Sequence, residues 1–73
     1  MNRKEIAINF GNNIKSLRTK FGLTRKQLAS KLGCCTNTIK NWEKASVETN
    51  AETLFRVATF FNVSADYLLG LEE

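Results

Sequence analysis

The 73-residue chain contains no histidine and no proline, and its only two cysteines, Cys34 and Cys35, are adjacent. A closed zinc site needs four ligands, usually cysteine or histidine, so two of them would be missing here. Adjacent cysteines also make a poor disulfide, because their Cα atoms lie about 3.8 Å apart and a bridge normally needs about 5.5–6 Å. We therefore expect no metal and no cofactor. We expect one cysteine to be a small buried side chain and the other a polar helix cap.

Long apolar runs are also absent. None approaches the roughly 20 residues that a membrane-spanning helix needs. Residues 1–13 lack the apolar centre and the small-residue cleavage site of a secretory signal. The spaced cysteines typical of small secreted domains are missing as well. These absences predict a cytoplasmic protein with no membrane partner. Its length predicts one domain, residues 1–73.

Acidic residues are scarce in the first part of the chain. Residues 1–44 hold ten Lys/Arg and two acidic residues, a balance of +8, whereas residues 45–73 have a balance of −4. A basic end of this kind favours a polyanionic partner such as a nucleic acid, although charge that only keeps the protein dissolved is a common alternative.

The remaining pattern predicts short helices separated by glycines and polar caps. An apolar stripe with steps of three or four residues runs through Ile6, Phe10, Ile14, Leu17 and Phe21, which indicates an amphipathic helix. Helix caps are expected at Gly22, Thr24, Gly33, Cys35, Asn50, Ser64 and Gly70. The predicted helices are Arg3–Lys20, Arg25–Leu32, Thr36 to about Lys44, Ala51–Phe61 and Ala65–Leu69. The fold class is therefore compact and all-α.

The second and third predicted helices have a specific spacing. Ala29 is small where two helices would cross, and Gly33 permits the left-handed backbone of a sharp turn. An apolar seam that would hold the two helices at a fixed angle consists of Leu28, Leu32, Cys34, Ile39 and Trp42. This pattern is typical of a helix-turn-helix, whose second helix enters the major groove of DNA.

Two stretches carry a family resemblance, LTRKQLASKLGCCTNTIKNWEK and TLFRVATFFNVSADYLLG. They resemble the helix-turn-helix core and the following segment of the phage repressor-like Cro/CI (XRE) domains, and the similarity extends over about residues 6–70. The resemblance implies a five-helix, lambda-repressor-like DNA-binding domain with its central helix-turn-helix at about residues 24–44.

Candidate base-reading residues follow from periodicity. If Ile39 and Trp42 pack inward, the opposite face of the third helix carries the polar residues Thr36, Asn37, Lys40 and Asn41. These side chains can contact base edges, and they match the base-reading positions of the family. The alternative is that they are ordinary solvated surface residues.

Phosphate contacts are expected around both ends of the helix-turn-helix, from Thr24, Arg25, Lys26, Lys44 and Ser46. Lys31 is a further candidate for a phosphate contact, but for Lys26 and Lys31 alike an ordinary solvated charge is an equal alternative. The resemblance also implies that Arg18 and Glu43 form an internal salt bridge that orients the end of the recognition helix.

The chain departs from the family pattern at four positions. In the family, a glutamine at the position of Arg25 contacts a phosphate and supports the recognition helix, which is the second helix of the helix-turn-helix. We expect Arg25 to keep the phosphate contact, whereas its support of that helix stays open. Cys35 replaces a serine or threonine cap and should cap less well, because a thiol is a weak acceptor. Ala45 replaces a glycine and Thr49 a proline, which leaves the conformation of the loop at residues 45–49 open.

The resemblance implies a sequence-specific double-stranded DNA-binding transcriptional regulator. The expected form is a phage-type repressor that binds a palindromic operator through the major groove as a homodimer. A second hypothesis is a protein-interaction module, such as an antitoxin or anti-repressor, with DNA binding secondary; the polar and basic helix face favours DNA. An enzyme is not expected, because histidine, a glycine-rich phosphate loop and paired carboxylates are missing.

Two points about the end of the chain stay open. A group of apolar residues there could complete the core or form a dimer surface: Phe60, Tyr67, Leu68 and Leu71. Similar repressors often continue beyond this point into a linker and an oligomerisation domain.

Overall fold

The computed structural model describes residues 2–71, which form five α-helices and no strand. The helices are α1 (Arg3–Lys20), α2 (Arg25–Leu32), α3 (Thr36–Glu43), α4 (Ala51–Phe61) and α5 (Ala65–Leu69). The predicted all-α, five-helix architecture is confirmed. Residues 1, 72 and 73 lie outside the described residues. The predicted domain limits at 1 and 73 and the two acidic residues at 72 and 73 are therefore not covered. Within residues 2–71, no helix is long and apolar enough to cross a membrane.

Short polar side chains determine where most of the helices begin. The caps Asn2, Thr24, Asn50 and Ser64 each accept a hydrogen bond from the backbone N–H three residues later. One predicted helix cap and one predicted helix end were wrong by one residue. The C-cap of α1 is Phe21, and Gly22 follows it with a left-handed φ of 71°. Helix α3 ends at Glu43, with Lys44 as its C-cap.

The core is formed by residues of all five helices. Its buried hydrophobic cluster consists of Phe10, Ile14, Leu17, Leu28, Ala29, Leu32, Ile39, Val57, Phe61 and Leu68. Burying one large apolar side chain contributes about 1.5–3 kcal/mol, so this cluster is the main stabilising element of so small a domain. Leu68 is thereby assigned to the core, whereas Leu71 is 59% exposed.

Phe21 does not continue the buried stripe of α1 as predicted. Its side chain is 51% exposed, and its ring packs edge-on against Phe61 with centroids 5.0 Å apart. The helical period places Phe21 on the correct side of α1, but it sits at the C-cap, where the helix ends and the core no longer extends over it. Phe21 therefore covers the edge of the core.

Helices α1 and α3 touch through their backbones at Gly11. A Cβ atom at this position would lie 2.2 Å from the carbonyl oxygen of Trp42 and 3.2 Å from the Cα of Glu43. Only a residue without a side chain fits such a crossing. Close helix packing was predicted at Ala29, which is indeed buried, but the tighter crossing at Gly11 was not.

Helix α5 is attached to α1 by side-chain amides. The Asn13 Nδ2 group donates to the carbonyl oxygens of Tyr67, at 2.9 Å, and Leu68, at 3.1 Å. Asn9 Nδ2 donates to the Leu69 carbonyl oxygen at 3.1 Å. These carbonyls lie at the C-terminal end of a five-residue helix, where no further helical turn supplies the backbone N–H groups that would donate to them. The two asparagines of α1 therefore terminate α5 and join the ends of the domain.

Candidate nucleic-acid interface

Helix α3 has one face in the core. Ile39 is fully buried, and Trp42 packs against the core with its ring edge-on to Phe10 at a centroid distance of 5.7 Å. Because this helix is anchored by both its apolar residues and by the Gly11 crossing, its rotation about its own axis is fixed. The direction in which its other side chains point is therefore fixed as well.

The opposite face of α3 is polar and open. Thr36, Asn37 and Lys40 are exposed, and Asn41 is half-buried at the edge of the same face. Asparagine can form two hydrogen bonds with adenine, lysine can reach guanine or a phosphate, and threonine can contact a thymine methyl group. The structure thus brings all four predicted base-reading residues onto one surface, and that surface has the chemistry needed to contact base edges.

The start of α2 contains a reciprocal capping arrangement. The Thr24 hydroxyl accepts the backbone N–H of Gln27 at 3.1 Å, and the Gln27 Oε1 atom accepts the backbone N–H of Thr24 at 2.9 Å. Two amides of the first turn are therefore already used within the helix. The backbone N–H groups of Arg25 and Lys26 have no acceptor within the helix, because they belong to its first turn. They can donate to an anion, and so can the hydroxyl group of Thr24.

Glu43 connects α3 to the two helices that precede it, α1 and α2. Its side chain is 1% exposed. The carboxylate accepts a hydrogen bond from Arg18 Nε at Oε2, at 2.7 Å, and one from Arg25 Nε at Oε1, at 3.0 Å. Arg18 also donates from Nη2 to Oε1 at 3.2 Å and from Nη1 to the Leu23 carbonyl oxygen at 2.9 Å. The ion pair between Arg18 and Glu43 is present, and it is part of a three-residue network.

Arg25 supports α3 although it stands where the family has a glutamine. Its Nε atom donates a hydrogen bond to the buried carboxylate of Glu43 at the end of α3. Its side chain is 37% exposed, so the guanidinium is only partly enclosed. One carboxylate neutralises only one of the two arginines, which leaves an excess positive charge beside the start of α2.

The loop after α3 adopts a left-handed turn without glycine. Ala45 has φ 57°, a conformation that costs an L-residue about 1–2 kcal/mol. The turn is closed by Ser46, whose backbone N and hydroxyl both donate to the Asn41 carbonyl oxygen, at 3.1 Å and 3.2 Å. The loop therefore keeps the conformation that a glycine would favour. The single hydroxyl hydrogen of Ser46 is used inside the protein, so a phosphate would have to displace that bond.

Replacing Ala45 with glycine is expected to raise the free energy of unfolding by about 0.5–1 kcal/mol. Glycine adopts the left-handed region without a Cβ penalty, and part of this gain is lost to the greater freedom of glycine in the unfolded chain. Urea denaturation of the wild type and the variant measures the difference. Ala51→Gly, in the first turn of α4, is the matched control and should lower stability. A less stable Ala45→Gly protein would contradict the strained turn.

Comparison with known proteins agrees with this geometry. A family model described as "Helix-turn-helix" matches residues 14–68. The chain belongs to the Cro/CI-type helix-turn-helix family. This is a family of DNA-binding transcriptional regulators, and the chain is accordingly not an enzyme.

This helix-turn-helix chain is similar to regulators of Bacillus subtilis and Enterococcus faecalis. The HTH-type transcriptional regulator ImmR of Bacillus subtilis is 36% identical over 66 residues, which are 90% of this chain and 52% of ImmR. The HTH-type transcriptional activator BcrR of Enterococcus faecalis is 38% identical over 64 residues, 88% of this chain and 31% of BcrR. The chain therefore spans about half, or less, of the length of these relatives.

The two cysteines lie in the turn of the helix-turn-helix. Cys34 is half-buried against the core, and burial raises the pKa of its thiol more than the nearby Arg56 guanidinium lowers it. This keeps the thiol protonated and unreactive. Cys35 is exposed at the predicted N-cap position of α3, but its thiol forms no side-chain capping bond, whereas a weak cap was predicted. Both thiols are free, and residues 2–71 contain no group of three or more potential metal ligands.

Two contributors to this helix-turn-helix were not recognised from the sequence. Gln27 completes the capping box, and its spacing of three residues from Thr24 was a readable signal. The Arg56 guanidinium of α4 donates to the carbonyl oxygen of Leu32 at the end of α2. No local pattern indicates the second contact, because its partners are 24 residues apart.

Proposed function

We propose that this chain is a sequence-specific transcriptional repressor of phage type. In this proposal it binds a palindromic operator in double-stranded DNA as a homodimer, with α3 of each copy in the major groove. The observation that carries the proposal is the fixed orientation of α3, which has Ile39 fully buried and an uninterrupted polar, cationic face on the other side. If the exposed face of α3 were only solvated surface, its orientation would not need to be fixed by these contacts.

The proposed contacts fall into two classes. Base edges are read by Thr36, Asn37, Lys40 and Asn41 on α3. Phosphates are held at one end by Thr24, Arg25 and Lys26 and at the other by Lys44 and Ser46. A helix N-terminus attracts an anion through its free amides, and that of α2 has its two uncommitted amides next to the excess arginine charge. This division separates residues that choose the sequence from residues that position the domain.

Repression follows from occupancy in this proposal. A protein seated in the major groove of a promoter blocks other proteins from the same segment of duplex. Arg18 and Glu43 take no direct part, and we assign them the support of the recognition helix through their buried ion pair. A reporter fused to a promoter that contains the selected operator tests the sign of regulation, since expression should fall when the protein is supplied.

The test of the proposal is the DNA motif selected by the protein from random duplexes. The wild type should return a symmetric motif with half-sites about one helical turn apart. Asn37→Ala and Asn41→Ala should each cost about 1–3 kcal/mol on this motif and much less on random DNA, and should relax the preference at one or two base pairs per half-site.

Lys44→Ala is the matched control for these two variants, because it changes a phosphate contact next to the same helix. It should weaken binding to all duplexes by a similar factor and reduce the log–log salt slope by about one. If both asparagine variants are folded and return the wild-type motif, α3 is not the reading element. Binding that does not weaken with salt would contradict a DNA ligand altogether.

A further inference from the structure

The side-chain amides of Asn37 and Asn41 are not used inside the protein. Elsewhere in the chain asparagine side chains cap helices: Asn2 and Asn50 each accept a backbone N–H at a helix start, and Asn13 donates to carbonyl oxygens at the end of α5. By contrast, neither amide on α3 forms a hydrogen bond with any residue between 2 and 71. Both amides are therefore available, as donor and acceptor together, to a ligand on that face.

The fold fixes the directions of these two amides. Ile39 lies between them in the sequence and is fully buried, and residues four apart on a helix share one face. The backbone carbonyl of Asn41 is also held by the two hydrogen bonds from Ser46. With a rise of about 1.5 Å per residue, the two side chains leave α3 about 6 Å apart along its axis. They form a pair with a defined spacing.

An asparagine amide is selective among the base edges of the major groove. It has an acceptor, Oδ1, beside a donor, the Nδ2 group. Adenine presents the complementary arrangement, with the N7 acceptor beside the N6 amino donor, so the two can form two hydrogen bonds. Guanine presents two acceptors, cytosine a donor and thymine an acceptor, so each of them leaves one atom of the amide unpaired. An unpaired polar atom excluded from water costs free energy, and adenine is therefore the preferred partner.

The spacing of the two amides determines the spacing of the two bases. Successive base pairs are about 3.4 Å apart along the duplex, so side chains about 6 Å apart along a helix in the major groove reach bases about two pairs apart. Lys40 lies on the same face but has donors alone, which suit guanine or a phosphate instead. The α3 face therefore has two places for adenine and is not a uniform polar surface.

We infer that each operator half-site contains two adenines about two base pairs apart, one read by Asn37 and one by Asn41, and that a methyl group on N6 of either adenine weakens binding. This inference rests on the proposed function, because it needs α3 in the major groove. In a base pair with thymine, one N6 hydrogen is used for pairing and the other faces the groove. A single methyl group replaces the groove-facing hydrogen, so the asparagine Oδ1 atom loses its donor while base pairing is kept. The protein thereby distinguishes unmethylated from N6-methylated DNA.

The experiment measures the affinity of the wild type for its selected operator by fluorescence anisotropy. N6-methyladenine at either of the two positions in one half-site should weaken binding about 5–150-fold, the range of one bidentate base contact. 7-Deazaadenine, which has a C–H group in place of N7, should weaken binding at the same positions, because it removes the acceptor of the pair. N6-methyladenine at an adenine outside the selected positions is the control and should leave the affinity unchanged.

Substitutions in the protein assign each adenine to one asparagine. Asn37→Ala should bind the methylated and unmethylated duplexes equally at one adenine and keep the wild-type methylation effect at the other, and Asn41→Ala should show the reverse. Asn12→Ala is the matched control, because Asn12 is an exposed asparagine on α1, and it should keep both effects. The methylation effect is a ratio of affinities within each protein, so a general loss of stability or affinity cancels.

The outcomes separate this inference from the proposed function. A selected motif without adenine at the positions that Asn37→Ala and Asn41→Ala relax would overturn the inference and leave sequence-specific binding intact. Full affinity of the wild type for the methylated operator would do the same, as would a methylation effect that persists unchanged in both variants. Failure of the wild type to select any motif would overturn the proposed function and this inference with it.

Discussion

Replacing Glu43 with alanine is expected to lower the free energy of unfolding by about 2–4 kcal/mol. Its carboxylate is almost fully buried and accepts both Arg18 and Arg25, so its removal leaves two guanidinium groups without their partner. Breaking a fully buried pair costs about 3–5 kcal/mol, and the lower value here reflects the 37% exposure of Arg25, which lets water replace part of the interaction. Urea denaturation monitored by the fluorescence of Trp42 measures the change.

The expected loss is a large part of the total stability, which for a domain of this size is about 4–11 kcal/mol. Glu43→Gln keeps the shape and one acceptor oxygen, and it provides a folded variant if Glu43→Ala does not fold. Glu48→Ala is the matched control, because Glu48 is exposed in the loop before α4 and should change stability by less than about 0.5 kcal/mol.

The same network predicts non-additive effects. Arg18→Ala and Glu43→Ala should show a coupling of about 1–3 kcal/mol in a double-mutant cycle, since each removes the partner of the other. Both should also weaken DNA binding, because the end of α3 is no longer held against α1 and α2. Additive losses would mean that the two charges do not interact in solution.

Replacing Gly11 with alanine is expected to lower the free energy of unfolding by about 2–3 kcal/mol. In an open helix the same change would raise stability by about 1 kcal/mol, because glycine is a poor helix former. Here the added Cβ meets the carbonyl oxygen of Trp42 at 2.2 Å, and this atom belongs to the backbone and cannot rotate away. Helices α1 and α3 must therefore separate, which opens the core around Ile39.

Asn12→Ala provides the control for Gly11→Ala at the adjacent position of the same helix. Asn12 is exposed, so alanine should leave stability unchanged or raise it by a few tenths of a kcal/mol. Opposite signs for two neighbouring alanine substitutions would locate the effect in the crossing of α1 and α3. A Gly11→Ala protein as stable as the wild type would show that the helices can move apart at no cost.

The Gly11 and Glu43 contacts explain how so small a domain could position a reading helix. One fixes the distance of α3 from α1, and the other fixes the end of α3 against α1 and α2. In the proposed function, both residues act on DNA without touching it. Variants at these positions should therefore disturb the sequence preference through the angle of α3.

The sequence by itself determined the helices and most of their ends. Helix starts at Thr24, Asn50 and Ser64 and the left-handed positions at Gly33 and Gly70 depend on groups within three or four residues of each other, so the pattern contains the whole interaction. The four residues of the α3 face were also predictable, because the helical period places them opposite Ile39 and Trp42. The family resemblance then connected that face with DNA.

Only the tertiary structure decided which distant residues meet. The Gly11 crossing, the contact of Arg25 with Glu43 and the capping of α5 by Asn13 join residues 18 to 55 positions apart along the chain. It also decided that the ring of Phe21 covers the core edge and that Phe55 stays in water. Local periodicity fixes the side of a helix on which a residue lies, but the packing of the other helices determines whether that side is covered, touched by a backbone or left open.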